Sequence, residues 1–165
     1  MELILDKDKT LQKIKRIAFE IYENNAKEKE IFIAGIYDKG YDFAKILKQY
    51  IEEIAPIKVT LVKVELDKQT PQQGNTSLDI DPKLLKNKTI ILLDDVFNTG
   101  RTIAYSLKPF LNVAIKRLQT AVIVDRAHKN FPISADYVGY SISTTLHQNI
   151  EVILDDEEKF GVYFK

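Results

Sequence analysis

No cysteine occurs among the 165 residues, which excludes disulfides and thiolate chemistry and fits a reducing compartment. Net charge is lacking as well. Twenty-four Lys and Arg balance 24 Asp and Glu, so no global field draws the chain to nucleic acid or an anionic membrane, and any polyanion site must be local. No run of about 18 apolar residues occurs, as a membrane-spanning helix would require. The apolar stretch in "MELILDKDKT" is too short for a signal peptide, so a soluble cytoplasmic protein with no membrane partner is expected. Internal repeats and low-complexity tracts are absent too. The two histidines, His128 and His147, stand apart without ligand spacing and read as surface residues rather than metal ligands.

What is present is enough for one sizeable core. With 45% apolar residues, the length points to a single domain over 1–165. Leu11, Ile14, Ile17, Ala18 and Ile21 recur at three- and four-residue steps and predict an amphipathic helix. "IFIAGI" (31–36) has the unbroken apolar character of a strand buried on both faces. The pattern then repeats: Phe43, Leu47, Tyr50, Ile51 and Ile54 mark a second helix, Pro56 punctuates it, and "IKVTLVKVEL" (57–66) reads as a strand. Residues 67–82, "DKQTPQQGNTSLDIDP", are polar and lack either period, which predicts a mobile loop. Strands follow at 89–95 and 120–125, with shorter ones around 135–140 and 151–155. Between the first two, a helix starts near Arg101, and Pro109 should kink or end it. Strand and helix in alternation argue an α/β fold, a parallel twisted sheet flanked by helices.

Ligands of such sheets bind outside the carboxyl ends of the strands. There the stretch "ILLDDVFNTGRT" (91–102) places Asp94 and Asp95, followed by a turn into the next helix. Gly100 beside Thr99 and Thr102 can turn backbone N–H groups and hydroxyls toward a phosphate, with Arg101 close by. A phosphate would repel the two carboxylates. Vicinal sugar hydroxyls donate to them well, and a divalent cation shared with those hydroxyls would ease the charge crowding. The residues therefore ask for a sugar phosphate.

"ILLDDVFNTGRT" resembles the phosphoribosyl-pyrophosphate (PRPP) signature of type I phosphoribosyltransferases, where hydrophobic strand residues precede two acidic residues and a Thr-Gly turn. The segments "RIAFEI" (16–21), "GIYDKGYDFAK" (35–45) and "VDRAHKNFPISADYVG" (124–139) are similar to the PyrR branch, whose members attenuate pyrimidine operons and act as uracil phosphoribosyltransferases. The resemblance runs through nearly the whole chain. It implies a type I phosphoribosyltransferase fold with a mobile loop and a small base-binding hood, in a homodimer or higher homo-oligomer. Asp94 and Asp95 would hold the ribose hydroxyls and Mg²⁺, and Asn98, Thr99, Gly100, Arg101 and Thr102 would cradle the 5-phosphate. "YDKG" (37–40) matches the pyrophosphate loop, so Asp38, Lys39 and Gly40 join the PRPP site, and the catalytic set is Asp94, Asp95 and Lys39. Gly40 would let backbone N–H groups come close to the diphosphate.

Val124, Asp125 and Arg126 are the expected base-binding residues, although Asp125 and Arg126 could equally form a local ion pair. In purine-salvage relatives an Asp stands where this chain has Asn98, and an amide cannot accept a proton from the base. A pyrimidine, uracil, is therefore favoured, giving UMP and pyrophosphate. RNA binding is not expected, because Phe19, Ser134 and Tyr140 stand where the resemblance calls for basic or titratable groups. The other readings are an RNA-binding attenuator and a PRPP or nucleotide sensor without turnover.

Overall fold

The computed structural model describes residues 1–72 and 74–165, so Gln73 of the expected loop lies outside the described residues. In chain order the elements are β1 (Glu2–Leu5), α1 (Lys7–Asn24), β2 (Glu30–Ile36), α2 (Lys39–Ile54), β3 (Lys58–Glu65), β4 (Ser77–Leu78) and a 3₁₀ turn (Pro82–Leu85). They continue with β5 (Thr89–Phe97), α3 (Arg101–Ser106), α4 (Lys108–Leu111), β6 (Arg117–Asp125), β7 (Tyr137–Ser141), β8 (Ile150–Ile153) and β9 (Gly161–Phe164).

The main sheet has the order β4-β3-β2-β5-β6-β7, parallel throughout except for β4, which pairs antiparallel with β3. Its central strands are buried on both faces because alternate residues serve two separate apolar layers. Ile31 and Ile33 of β2, with Ile91 and Leu93 of β5, pack against Ile14, Ile17, Phe43 and Leu47 of α1 and α2. Phe32 and Ala34, with Ile90 and Leu92, face the other way toward Leu85, Ile103 and Phe110. The helical stripes fall as the spacing predicts: Ile14, Ile17, Ala18 and Ile21 are buried on α1, and Phe43, Leu47 and Ile51 on α2. Each fully buried side chain of this size contributes about 1.5–3 kcal/mol. Asp6 starts α1 by accepting a hydrogen bond from the Lys9 N–H at 2.9 Å.

The structure departs from the sequence reading in four places. β5 runs to Phe97, two residues past the expected end at Asp95, so Val96 and Phe97 extend the strand beyond the acidic pair. Residues 67–82 are not irregular throughout: Ser77 and Leu78 pair with Glu65 and Val64, and the Asp81 carboxylate caps the following 3₁₀ turn by accepting from the Lys83 N–H. A two-residue edge pairing needs no apolar period and leaves no trace in composition. The third helical region splits into α3 and α4, with Pro109 in the first turn of α4, where its missing N–H costs nothing. Finally, β1, β9 and β8 form a second, antiparallel sheet from the two ends of the chain, and the sequence reading had no strand at β1 or β9. Among the described residues, no helix is long and apolar enough to cross a membrane.

Candidate active site

The apolar run of β5 ends on two carboxylates held differently. Asp94 is 4% exposed, whereas Asp95 is half-buried. The Asp95 N–H donates to Asp94 Oδ1 at 3.0 Å, and Lys68 Nζ stands 3.7 Å from the same oxygen. Burial first, and then the adjacent Asp95 charge, push the Asp94 carboxyl well above its ordinary 3.8, while Lys68 works in the opposite direction. A buried carboxylate beside a half-buried one, with one ammonium 3.7 Å away, is short of positive charge.

The chain then turns through residues 98–102 into α3. Gly100 sits at φ 86°, in the left-handed region, and an added Cβ would lie 2.8 Å from Ile133 Cγ2 and 2.9 Å from Phe97 Cζ. Thr99 Oγ1 accepts from the Arg101 N–H at 3.2 Å, which folds the turn tightly. The Thr99 carbonyl accepts from Asn130 N at 2.9 Å and Phe131 N at 3.2 Å, so the segment after β6 braces the turn from outside. Asp94, Val96 and residues 97–103 line a small cleft. The Arg101 guanidinium does not point into free space: it donates to Gln72 Oε1 at 3.1 Å and to the Gln69 carbonyl at 3.4 Å. Residues 68–72 therefore lie over the cleft, fastened at Asp94 by Lys68 and at Arg101 by two glutamines.

The turn between β2 and α2 meets β5 from the other side. Asp38 is the N-cap residue of α2 but its side chain makes no capping hydrogen bond, and the Tyr37–Asp38 peptide is cis. Lys39 Nζ is 3.6 Å from Glu151 Oε1 on β8. Gly40 packs on β5: a Cβ there would sit 2.7 Å from the Leu93 carbonyl oxygen and 3.2 Å from Asp94 Cα. The structure thus gives Gly40 a packing reason besides ligand approach.

At the end of β6, the three expected base-binding residues separate. Val124 is fully buried in the apolar layer beneath the sheet end, so its side chain offers no surface to a ligand. Asp125 Oδ1 accepts from the Ala127 N–H at 2.8 Å. The alternative of an Asp125–Arg126 ion pair is not realised, because the buried Arg126 turns instead to Asn98, Thr144, Thr145 and Gln148. His128 is half-buried and shares Thr144 Oγ1 at 3.0 Å, a correction to its reading as a surface residue; His147 is exposed.

Sequence reasoning did not single out Lys68, although it is the one cation in the 67–82 stretch and that could have flagged it. Glu151, Thr144 and Gln148 carried no signal, since neither motif nor period marks them. Among the described residues, no group of three or more His, Cys, Asp or Glu side chains could hold a metal alone. Asp94 and Asp95 nevertheless suit Mg²⁺, which commonly takes one or two protein carboxylates and completes its shell with water and substrate oxygens.

Comparison with known proteins places the chain among relatives that match it over most of its length. Bifunctional protein PyrR of Haemophilus ducreyi is 34% identical over 158 residues, covering 92% of this chain and 88% of the relative. Bifunctional protein PyrR of Clostridioides difficile is 35% identical over 161 residues, covering 92% and 89%. Among solved structures, the hypoxanthine phosphoribosyltransferase of Trypanosoma cruzi superposes with a TM-score of 0.81 at 15% identity, covering 99% of this chain and 95% of that one. A hypoxanthine-guanine phosphoribosyltransferase from Bacillus anthracis gives 0.78 at 20% identity, covering 97% and 92%. The fold is that of the type I phosphoribosyltransferases. With residues 2–157 matching the phosphoribosyl transferase domain, and PyrR proteins matching over most of its length, the chain belongs to the phosphoribosyl transferase family.

Proposed function

We propose that the chain transfers ribose 5-phosphate from PRPP to uracil, yielding UMP and pyrophosphate. The observation that carries this reading is the acidic pair at the carboxyl end of β5, running directly into a tight Thr-Gly turn. Asp94 and Asp95 accept hydrogen bonds from the ribose hydroxyls and hold Mg²⁺, which when bound supplies positive charge to the pyrophosphate. Thr99, Gly100 and Thr102 bind the 5-phosphate with hydroxyl and backbone N–H groups, and Arg101 adds charge once released from Gln69 and Gln72. Lys39, on the first turn of α2, exchanges Glu151 for the leaving diphosphate.

The bond from ribose C1 to pyrophosphate oxygen breaks as the bond from C1 to the uracil nitrogen forms, and the proton of that nitrogen passes to the departing pyrophosphate or to water. Residues 68–72, already lying over the cleft, form the mobile cover that excludes water from the electron-poor sugar. Lys68 and its loop must move as the acidic pair takes its ligands. The small sheet of β1, β8 and β9 supplies the hood, and the working unit is a cytoplasmic homodimer or higher homo-oligomer.

The test is a panel of nucleobases with PRPP and Mg²⁺, following pyrophosphate release. Uracil alone should support turnover. Release with a purine base only would overturn the substrate assignment, and PRPP binding without release with any base would make the chain a sensor.

A second reading, RNA binding, is raised by the relatives' name, Bifunctional protein PyrR. The surface of α1 speaks against it. Arg16 is spent on Glu20 and on the Val138 and Gly139 carbonyls, and Lys13 stands 5.9 Å over the Tyr140 ring. Phe19 is exposed on the same helix, and Ser134 accepts from Lys129. A gel-shift titration with a pyrimidine-leader hairpin at two salt concentrations should find no preference over an unrelated hairpin, with or without UMP. Tight, selective binding that weakens steeply with salt would put the regulator first.

A further inference from the structure

Residues 67–72 form a folded strap across the cleft. The Asp67 carboxylate shapes it: Oδ1 accepts from the Gln69 N–H at 2.9 Å and the Thr70 N–H at 3.3 Å, and Oδ2 accepts from the Thr70 hydroxyl at 2.7 Å. The turn so made presents Lys68 to Asp94 at 3.7 Å, and Pro71 beyond it is buried. On the other side, Arg101 Nη2 donates to the Gln69 carbonyl at 3.4 Å and to Gln72 Oε1 at 3.1 Å. Both polar fastenings use groups that PRPP needs.

Charge accounts for the first of them. The Asp94 side chain is 5% exposed with Asp95 beside it, and a carboxylate taken out of water is costly unless a cation pairs with it. Among the described residues, Lys68 is the cation paired with either acid. Its own side chain is 41% exposed and its stem is flexible, so the ammonium can return to water at little cost. One ammonium brings a single charge to two carboxylates. A divalent cation brings two and is coordinated by carboxylate oxygens directly, so it displaces Lys68 when it arrives with its sugar phosphate.

We propose that Lys68 is a built-in counter-ion, whose ammonium stands at Asp94 in the free chain where Mg²⁺ and the ribose hydroxyls bind, so that the strap competes with PRPP for the acidic pair. Asp67 is the positioning residue that aims it. The inference rests on the phosphoribosyltransferase reading and adds an autoinhibitory contact to it: the strap must open before ligand enters, and only then can it close again as a cover. The affinity observed for PRPP is lowered by the fraction of chains whose strap is fastened.

The discriminating variant is Lys68→Met, which keeps the length of the stem and removes the charge. Because the residue is exposed, the core is left untouched. Calorimetry would give the affinity for PRPP with Mg²⁺, and stopped-flow tyrosine fluorescence its association rate. PRPP is a polyanion, so loss of a cation that held it would weaken binding, whereas loss of a competitor strengthens it. The sign is the test. Affinity should rise about three- to tenfold, through faster association. Weaker binding would make Lys68 a ligand-holding residue, unchanged binding would make the ion pair idle, and a gain from slower dissociation alone would place its effect in the bound state; each of these overturns the proposal. Failure of both the parent and Lys68→Met to bind PRPP would overturn the underlying reading instead, so the two failures are told apart.

Discussion

Replacing Asp94 and Asp95 together by Asn is expected to abolish PRPP binding while making the free chain more stable. Ribose hydroxyls and Mg²⁺ need acceptors, and an amide presents a neutral oxygen and a donor in place of two anionic oxygens. Losing two charge-assisted hydrogen bonds at about 1.5–3 kcal/mol each lowers affinity by a factor on the order of 10² to 10⁴. Stability moves the other way. The Asp94 carboxyl ionises well above 3.8 in the fold because of burial and the Asp95 charge, so the folded state holds its proton more tightly than the unfolded chain does. The stability this gives is complete below the unfolded value and is lost as pH rises through the folded one. At neutral pH, above the unfolded value, the parent therefore carries a cost from this buried carboxyl that it does not carry in acid. The double variant does not, and the amide oxygen introduced at position 94 can still accept from the backbone N–H of the following residue. A gain of about 1–2 kcal/mol at pH 7, shrinking toward pH 4, is expected in denaturant unfolding. Parent-like PRPP binding in calorimetry would show that the acidic pair is not the sugar site.

That opposition of binding and stability explains why the site was legible before the fold was known. Two adjacent carboxylates after a buried strand conflict with packing, and the conflict is local in sequence: residues 91–102 contain the strand, the acids and the turn. β2 and β5 were legible for a related reason, since burial on both faces forces an unbroken apolar run. The small sheet was not. β1, β8 and β9 have four residues each, and their pairing depends on bringing the two chain ends together. The partners of Arg126 were not legible, because Asn98, Thr144, Thr145 and Gln148 lie 18 to 28 positions away, whereas the sequence offers only the neighbouring Asp125. Lys68 shows the same limit: it reaches Asp94 only because the stretch after β3 folds back across the end of β5.

Gly40→Ala should separate two explanations of that glycine by its effect on the chain with no ligand bound. If the missing side chain served only the approach of a diphosphate, the free protein would be as stable as the parent. The packing says otherwise. A Cβ at position 40 would lie 2.7 Å from the Leu93 carbonyl oxygen and 3.2 Å from Asp94 Cα, and a Cβ at position 35 would lie 2.5 Å from the Gly40 carbonyl oxygen. The start of α2 is thus pressed onto the backbones of β2 and β5, and backbone cannot swing aside as a flexible side chain can. Overpacking of this kind costs about 1–3 kcal/mol, and with backbone on both sides the upper end is expected. The same displacement reaches Asp94 directly. A shift of about 1 Å in a ligand-positioning group lowers activity by about 10²-fold, so turnover should drop along with stability even though no ligand-binding side chain has changed. Gly74→Ala is the control: its nearest neighbour, Asp67 Cβ, stands at 3.4 Å, ordinary contact, and stability should change by no more than about 0.5 kcal/mol. Urea unfolding of the two variants and the parent, without ligand, decides the matter. Equal stability of all three, with activity lost only in Gly40→Ala, would return Gly40 to the pyrophosphate site alone; a lowered midpoint for Gly40→Ala would make the placement of Asp94 a consequence of how closely α2 can sit against its strand.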